Sequence, residues 1–234
     1  MWLFYLIAGI TWLFSLAVKR KLTAAYDKWG QVRNSRGLTG AQTAHAVLSG
    51  NDMHGLRLVP APGKLTDHYD PRSKTIRLSE PVYGVPSVAA MAIAAHETGH
   101  AIQDKVGYTP FRMRSALVPL ATLGARFGLP AAVMGFMMDS PMYVQIGVLT
   151  YLGALVFQIA TLPVEYNASR RARRQLHSLG LASDEEMKGV SQVLSAAALT
   201  YVAGVASSAG YLLFLALVAG KWLFRKPPVA PHVP

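Results

Sequence analysis

The stretch Ala94-Ala95-His96-Glu97-Thr98-Gly99-His100-Ala101-Ile102 decides how the rest of this chain is interpreted. It holds an H-E-x-x-H motif in an alanine-rich run that predicts a helix. At 3.6 residues per turn, His96 and His100 lie on one face of that helix, so both imidazoles can reach one metal ion. Glu97 can hydrogen-bond a water molecule in the open coordination position and act as its general base. The pattern predicts a catalytic zinc site that needs a third ligand.

The predicted metal helix begins at Pro86 and Ser87 and runs from Val88 to about Gln103. A glycine costs a helix about 1 kcal/mol relative to alanine. Gly99 therefore either marks a close approach of another backbone or of substrate, or is simply a tolerated helix glycine.

The composition indicates a membrane protein. The chain has 234 residues, 52% of them hydrophobic, and a mean hydropathy of +0.27, which is high for a soluble protein. Its net charge of +11 fits nucleic acid, an acidic membrane surface or the cytoplasmic loops of a membrane protein. The sequence has no cysteine, which excludes disulfides and thiolate metal sites.

Apolar stretches predict about four transmembrane helices, at residues 2–18, 116–138, 142–162 and 196–220. The first is followed by Lys19-Arg20-Lys21 and lacks a small-residue cleavage site, which predicts an uncleaved anchor rather than a signal peptide. The second contains Pro119, Arg126 and Pro130, so we expect it to be kinked or re-entrant.

Basic residues predict the orientation of these helices. The clusters at residues 19–21, 112–114 and 170–174 fall on one side of a four-span arrangement with its N-terminus outside. Lys221 and the pair 225–226 fall on the other side and disagree. We expect a multi-pass protein of the cell membrane with the H-E-x-x-H helix on the cytoplasmic face. The basic loops of a protein in the lipid bilayer explain the net charge, so no nucleic-acid partner is expected.

The third predicted span returns the chain to that same face, at Leu162-Pro163-Val164-Glu165-Tyr166. There Glu165 would lie at the mouth of the membrane near His96 and His100, completing the His-His-Glu-plus-water set of many catalytic zinc sites. The alternative is a carboxylate that interacts with the dipole of a helix starting or kinking at Pro163.

A small soluble region precedes the metal helix. Residues 39–48 predict a short helix, and residues 56–59, 65–69 and 75–78 predict short strands that form a hairpin or a three-stranded sheet. By its position, Arg77-Leu78-Ser79 is our candidate for an edge strand that holds the substrate backbone by strand addition. Asp67, His68 and Asp70 are either a second metal site or ordinary turn residues, and turn residues are the favoured interpretation.

The sequence resembles the YugP family of membrane zinc metallopeptidases and, more distantly, the HtpX-type and CAAX-prenyl-type gluzincins. The resemblance extends from about residue 39 to residue 220. Three runs carry it: Leu65-Thr66-Asp67-His68-Tyr69-Asp70-Pro71, Ala94-Ala95-His96-Glu97-Thr98-Gly99-His100-Ala101-Ile102-Gln103 and Leu162-Pro163-Val164-Glu165-Tyr166-Asn167-Ala168-Ser169-Arg170-Arg171-Ala172. It implies Zn²⁺ on His96, His100 and Glu165, with Glu97 as the base.

Two positions depart from the relatives. In HtpX-like chains an Asp four residues after the ligand Glu supports a ligand histidine, and here that position is Ser169. Asn167 stands where many YugP-like chains have an acidic residue. A neutral partner orients a ligand histidine but raises its basicity less. A donor to the developing oxyanion is also needed, and His68, Tyr166 and Arg170 are unranked candidates.

Together these observations predict a mainly α membrane protein with a small α+β zincin-like metallopeptidase region at the cytoplasmic face. Its predicted parts are an anchor at residues 1–20, a metallopeptidase region at 21–114, a transmembrane hairpin at 115–162, a cytoplasmic helix with the third ligand at 163–190, a last transmembrane helix at 191–224 and a disordered tail at 225–234.

The predicted function is zinc-dependent endopeptidase activity on membrane or membrane-proximal polypeptides. One alternative is a site-2-type intramembrane protease, which uses an Asp-Gly ligand in a later span, whereas Asp139 here precedes Ser140. The other is a non-enzymatic metal-binding scaffold or adaptor, which has no need of a base such as Glu97. The sequence is silent on the oligomeric state and the physiological substrate.

Overall fold

The structure, a computed structural model, describes residues 2–223, which are mainly helical. The predicted tail at residues 225–234 lies outside the described residues. The elements in chain order are α1 (Trp2–Gly30), α2 (Gly40–Ser49), β1 (Arg57–Ala61), β2 (His68–Asp70), β3 (Thr75–Ser79), α3 (Glu80–Tyr83), α4 (Val88–Lys105), α5 (Thr109–Leu123), a π-helix (Gly124–Gly128), α6 (Leu129–Met137), α7 (Pro141–Ser178) and α8 (Asp184–Leu223).

The predicted three-stranded sheet is present, with strand order β1-β3-β2. Strand β3 pairs in parallel with β1 and antiparallel with β2. The prediction of Arg77-Leu78-Ser79 as an edge strand is wrong, because these residues belong to β3 at the centre of the sheet. That candidate was chosen by position alone, which does not encode strand order, and Ile76 and Leu78 of this strand are fully buried. The edges of the sheet are β1 and β2.

Two helix starts follow the capping rules. Thr39 caps α2 through a reciprocal capping box with Gln42, and the side chain of Ser87 caps α4 by accepting a hydrogen bond from the Ala90 backbone. Helix α4 is buried along most of its length, and its alanines allow neighbouring elements to pack closely.

The chain divides into two compact units. The first to be described comprises residues 13–116 and 159–204 and contains the sheet, α2, α3, α4 and the C-terminal part of α7. One apolar cluster forms its core, in which Met91 of α4, Ile76 of β3 and Leu176 of α7 are fully buried. Burying side chains of this size stabilises a fold by about 1.5–3 kcal/mol each.

The other unit comprises residues 1–12, 117–158 and 205–234. Here α6 and the first half of α7 pack so closely that a Cβ on Gly147 would clash with the backbone nitrogen of Ala132. Many large apolar side chains in this unit are exposed, Leu149 and Met137 among them. Exposed apolar helices of this kind are typical of segments that face lipid.

Three helices in the described residues are long and apolar enough to cross a membrane, Thr109–Met137, Pro141–Ser178 and Asp184–Leu217. They contain three of the four predicted spans. The fourth, at residues 2–18, forms the first part of α1, and its role as an anchor stays a prediction. The span with two prolines is interrupted by the π-helix, whereas Pro163 lies inside α7 and does not start a helix.

Candidate active site

The site is built where α4 passes directly against α7. A Cβ added to Gly99 would lie 2.7 Å from the carbonyl oxygen of Ala168 and 3.2 Å from its Cα. Only glycine allows this approach without a shift of backbone, so of the two alternatives for Gly99 the structure supports the close approach of another backbone. Because Glu165 precedes Ala168 by about one helical turn, the same approach brings its carboxylate towards the histidines of α4.

His96, His100 and Glu165 form a compact group of potential metal ligands. One ligand atom from each lies within 4.8 Å of the other two. Glu165 Oε2 is 3.2 Å from His96 Nε2 and 3.5 Å from His100 Nε2. Glu165 and His100 are buried, and the two imidazole rings meet edge to face with centroids 4.7 Å apart. Two nitrogens and one carboxylate oxygen that converge in a buried site fit the ligand set of zinc.

Gln103 fixes the orientation of His100. Its side-chain nitrogen donates to the carbonyl oxygen of Val164 at 2.8 Å and to Oδ1 of Asn167 at 3.0 Å. Its remaining polar atom, Oε1, is 3.0 Å from His100 Nδ1 and can only accept, so Nδ1 must carry the hydrogen. The lone pair of the neutral imidazole is therefore on Nε2, the nitrogen that faces Glu165.

Ser169 holds the other histidine in a looser way. Its hydroxyl is 3.2 Å from His96 Nδ1, at the position where HtpX-like chains carry an aspartate. A hydroxyl can donate or accept, so it restricts the tautomer less than Gln103 does. Asn167 reaches His100 only through Gln103, and its Oδ1 also accepts from Arg171 Nε at 2.8 Å. Both departures from the relatives thus supply neutral hydrogen-bond partners behind the histidines.

The electrostatics favour a positive charge among these residues. Glu97 is buried, and burial raises its pKa against the opposing effect of His96 and His100. Burial alone would lower the pKa of His100, but the carboxylate of Glu165 outweighs it, so the pKa is raised. The negative charge of Glu165 that favours a proton on His100 would also favour a bound cation. A metal ion competes with that proton for the same nitrogen.

A cavity of about 170 Å³, partly open to solvent, lies beside this group. His96, Glu97 and Glu165 line it, and so does Tyr201 of α8, which interacts electrostatically with Glu165. Sequence reasoning missed Tyr201. The available signal was a polar pair, Thr200 and Tyr201, in a mainly apolar predicted span, because polar residues in a span usually face a protein interior.

The three residues considered as oxyanion donors do not line this cavity. Tyr166 and Arg170 are exposed on α7, and His68 is exposed on β2 with its Nδ1 2.8 Å from the carbonyl oxygen of Thr66. The structure brings none of them to the group formed by His96 and Glu165.

Asp67, His68 and Asp70 have different hydrogen-bonding partners. Asp67 lines the cavity and accepts hydrogen bonds from the backbone N–H of Ser79 at 2.7 Å and from its hydroxyl at 3.0 Å. Burial raises its pKa. Asp70 instead accepts from Arg72 and Ser73 in the following turn. Within residues 2–223 these three residues do not form a metal-ligand group.

Comparison with known proteins identifies the family of the chain. The sequence model of a family described as "Putative neutral zinc metallopeptidase" matches residues 4–220. A protein of Bacillus subtilis (strain 168) called "Putative membrane protease YugP" is 38% identical over 198 residues, which are 85% of this chain and 88% of that protein. No solved structure gives a significant match. The chain belongs to the family of zinc metallopeptidases defined by that sequence model.

Proposed function

We propose that the protein is a membrane-embedded, zinc-dependent endopeptidase that hydrolyses membrane or membrane-proximal polypeptides. One observation carries the proposal: Glu165 converges with His96 and His100, while Glu97 lines the same cavity outside that group. A site of this composition has three protein ligands and a separate base, which is the design of a catalytic rather than a structural zinc site.

Each residue has a defined role in the proposed reaction. His96, His100 and Glu165 would hold the metal, which when bound supplies a Lewis acid and lowers the pKa of water. Glu97 accepts the proton of the attacking water and later donates it to the leaving amine. Burial raises the pKa of Glu97, which makes its carboxylate a stronger base for taking up the proton.

We assign the donor to the developing oxyanion to Tyr201. Its side chain lines the cavity and interacts electrostatically with Glu165 and Glu97, so it is near the reacting atoms. A hydroxyl donor held in position by the fold stabilises negative charge as it develops. His68, Tyr166 and Arg170 lie outside the cavity lining and are not assigned this role.

The membrane placement is proposed from two supporting observations. Three described helices are long and apolar enough to span a bilayer, and residues 2–18 would add a fourth span at the start of α1. The basic clusters at residues 19–21, 112–114 and 170–174 support a position of the site at the cytoplasmic face of the cell membrane under the positive-inside rule.

The test is a cleavage assay on detergent-purified protein with β-casein, an unfolded polypeptide, as the probe. We expect wild type to cleave it, a zinc chelator to stop cleavage and added zinc to restore it. Glu97→Gln should keep its zinc and lose cleavage by a factor of about 10² to 10⁴, since it removes the base alone. Glu80→Gln, a change of an exposed glutamate on α3, is the matched control.

An unchanged cleavage rate in Glu97→Gln would contradict this mechanism. Zinc bound at full occupancy without cleavage by wild type would instead support the non-enzymatic scaffold. The site-2 alternative gains no support, because Asp139 is exposed in a turn and the described ligand group uses Glu165.

A further inference from the structure

We propose that the cavity beside Glu97 selects an apolar substrate side chain next to the scissile bond and disfavours an acidic one. This inference rests on the proposed peptidase function and adds the substrate class. It rests on the apolar residues that line the cavity around the polar group formed by His96, Glu97 and Glu165.

The walls are apolar and come from three helices. Leu22 of α1, Ile93 of α4 and Ala197 of α8 are only partly buried and line the cavity, so their surfaces are available to a ligand. Val193 and Ala198, which are buried residues of α8, line the cavity as well. The small side chains of α8 leave space here that a larger residue would fill. An apolar ligand group gains about 25 cal/mol for each square ångström removed from water at such a wall.

Leu65 adds an apolar group at the opening. Its side chain is 44% exposed although it lines the cavity, and its backbone is left-handed, with φ of 60°. That conformation costs a leucine about 1–2 kcal/mol. The backbone next to Leu65 is anchored to the sheet, because Asp67, two residues after Leu65, accepts hydrogen bonds from the backbone and the hydroxyl of Ser79. An exposed leucine fixed at the mouth of a catalytic cavity has surface that a bound apolar side chain would cover.

The charges of the lining act against acidic ligands. Asp67, Glu97 and Glu165 line the cavity, and among the described lining residues there is no lysine or arginine. Three carboxylates exceed the two positive charges of a zinc ion by one. Arg114 acts electrostatically on Tyr201 but does not line the cavity. An acidic side chain would therefore meet like charge.

A lysine is also poorly served by this cavity. The two oxygens of Asp67 already accept hydrogen bonds from Ser79, and the other two carboxylates have roles at the metal. A buried ammonium without hydrogen-bonding partners is costly. The apolar side chain is the one that the whole lining accommodates.

The test measures binding and needs no turnover. Zinc-loaded wild-type protein in detergent is titrated with fluorescent alanine peptides, blocked at both ends and N-methylated along the backbone to prevent cleavage, that differ only in one central residue: Leu, Ala, Lys or Glu. We expect the Leu peptide to bind at least tenfold more tightly than the Glu peptide and more tightly than the Lys peptide. Equal affinities, binding of none of the peptides or a preference for Glu would overturn the inference.

A second variant tests which wall is responsible. Ala197→Leu in the same background should fill the space and weaken binding of the Leu peptide about fivefold or more, with little change for the Ala peptide. Ala24→Leu, on an exposed position of α1 outside this cavity, is the control. Loss of both peptides equally would refute the assignment to this wall. Selective binding without cleavage by wild type would contradict the peptidase function while leaving the selectivity intact.

Discussion

The contact between Gln103 and His100 gives the sharpest prediction of how this site is held. Gln103→Leu replaces the fully buried glutamine by an apolar side chain of similar size. Asn167 keeps its bond from Arg171 Nε, and the Val164 carbonyl keeps its partner within α7. The group that loses its partner is the Nδ1–H of His100, a buried residue.

The magnitude follows from that one orphaned donor. Leaving a buried donor without a partner costs about 1–3 kcal/mol. At about 1.4 kcal/mol per factor of ten, the zinc dissociation constant should rise by about 5- to 140-fold. This range overlaps the 10- to 100-fold effect typical of removing an outer partner of a metal-bound histidine.

The assay is competition for zinc against a chromophoric chelator in detergent, with thermal unfolding of the metal-free proteins as a check on folding. Gln31→Leu, which changes an exposed glutamine just after α1, is the control and should leave zinc affinity unchanged. A Gln103→Leu protein that folds and binds zinc within twofold of wild type would refute the argument that Gln103 orients His100.

Three further changes test neighbouring parts of the site. Gly99→Ala should lower the melting temperature and zinc affinity, because overpacking against Ala168 costs about 1–3 kcal/mol and exceeds the helix propensity gained, about 1 kcal/mol; unchanged melting would contradict the close approach. Ser169→Ala should raise the zinc dissociation constant only about fivefold, since His96 loses one neutral hydrogen bond; a larger loss than in Gln103→Leu would reverse the ranking. Tyr201→Phe should keep zinc and KM while kcat falls about 10²-fold; an unchanged kcat would remove Tyr201 from the reaction.

Local chemistry made much of this structure predictable. The capping residues Thr39 and Ser87 begin helices where expected, and the glycine inside the metal helix packs against another backbone. The pairing of the H-E-x-x-H motif with Glu165 required one further step, which was the return of the chain to the same face after a predicted span. These signals depend on short spacings or on overall hydropathy, and both are present in a single sequence.

Other features depend on tertiary contacts that no short spacing encodes. Strand order could not be predicted, because β3 lies at the centre of the sheet and pairs with β1, although β2 lies between the two in the sequence. Pro163 was compatible with a helix start, yet packing maintains α7 through it. Tyr201 lies 36 residues beyond Glu165 on another helix, so only the fold connects the two.

The most direct test of the account is zinc content, measured by elemental analysis on detergent-purified wild type, Glu97→Gln and Glu165→Ala. The account predicts near-stoichiometric zinc in wild type and Glu97→Gln and its loss in Glu165→Ala, with Glu185→Ala, a change of an exposed glutamate, as the control. Zinc retained in full by Glu165→Ala, or absent from wild type purified without chelators, would contradict the central claim that His96, His100 and Glu165 together hold a catalytic zinc ion.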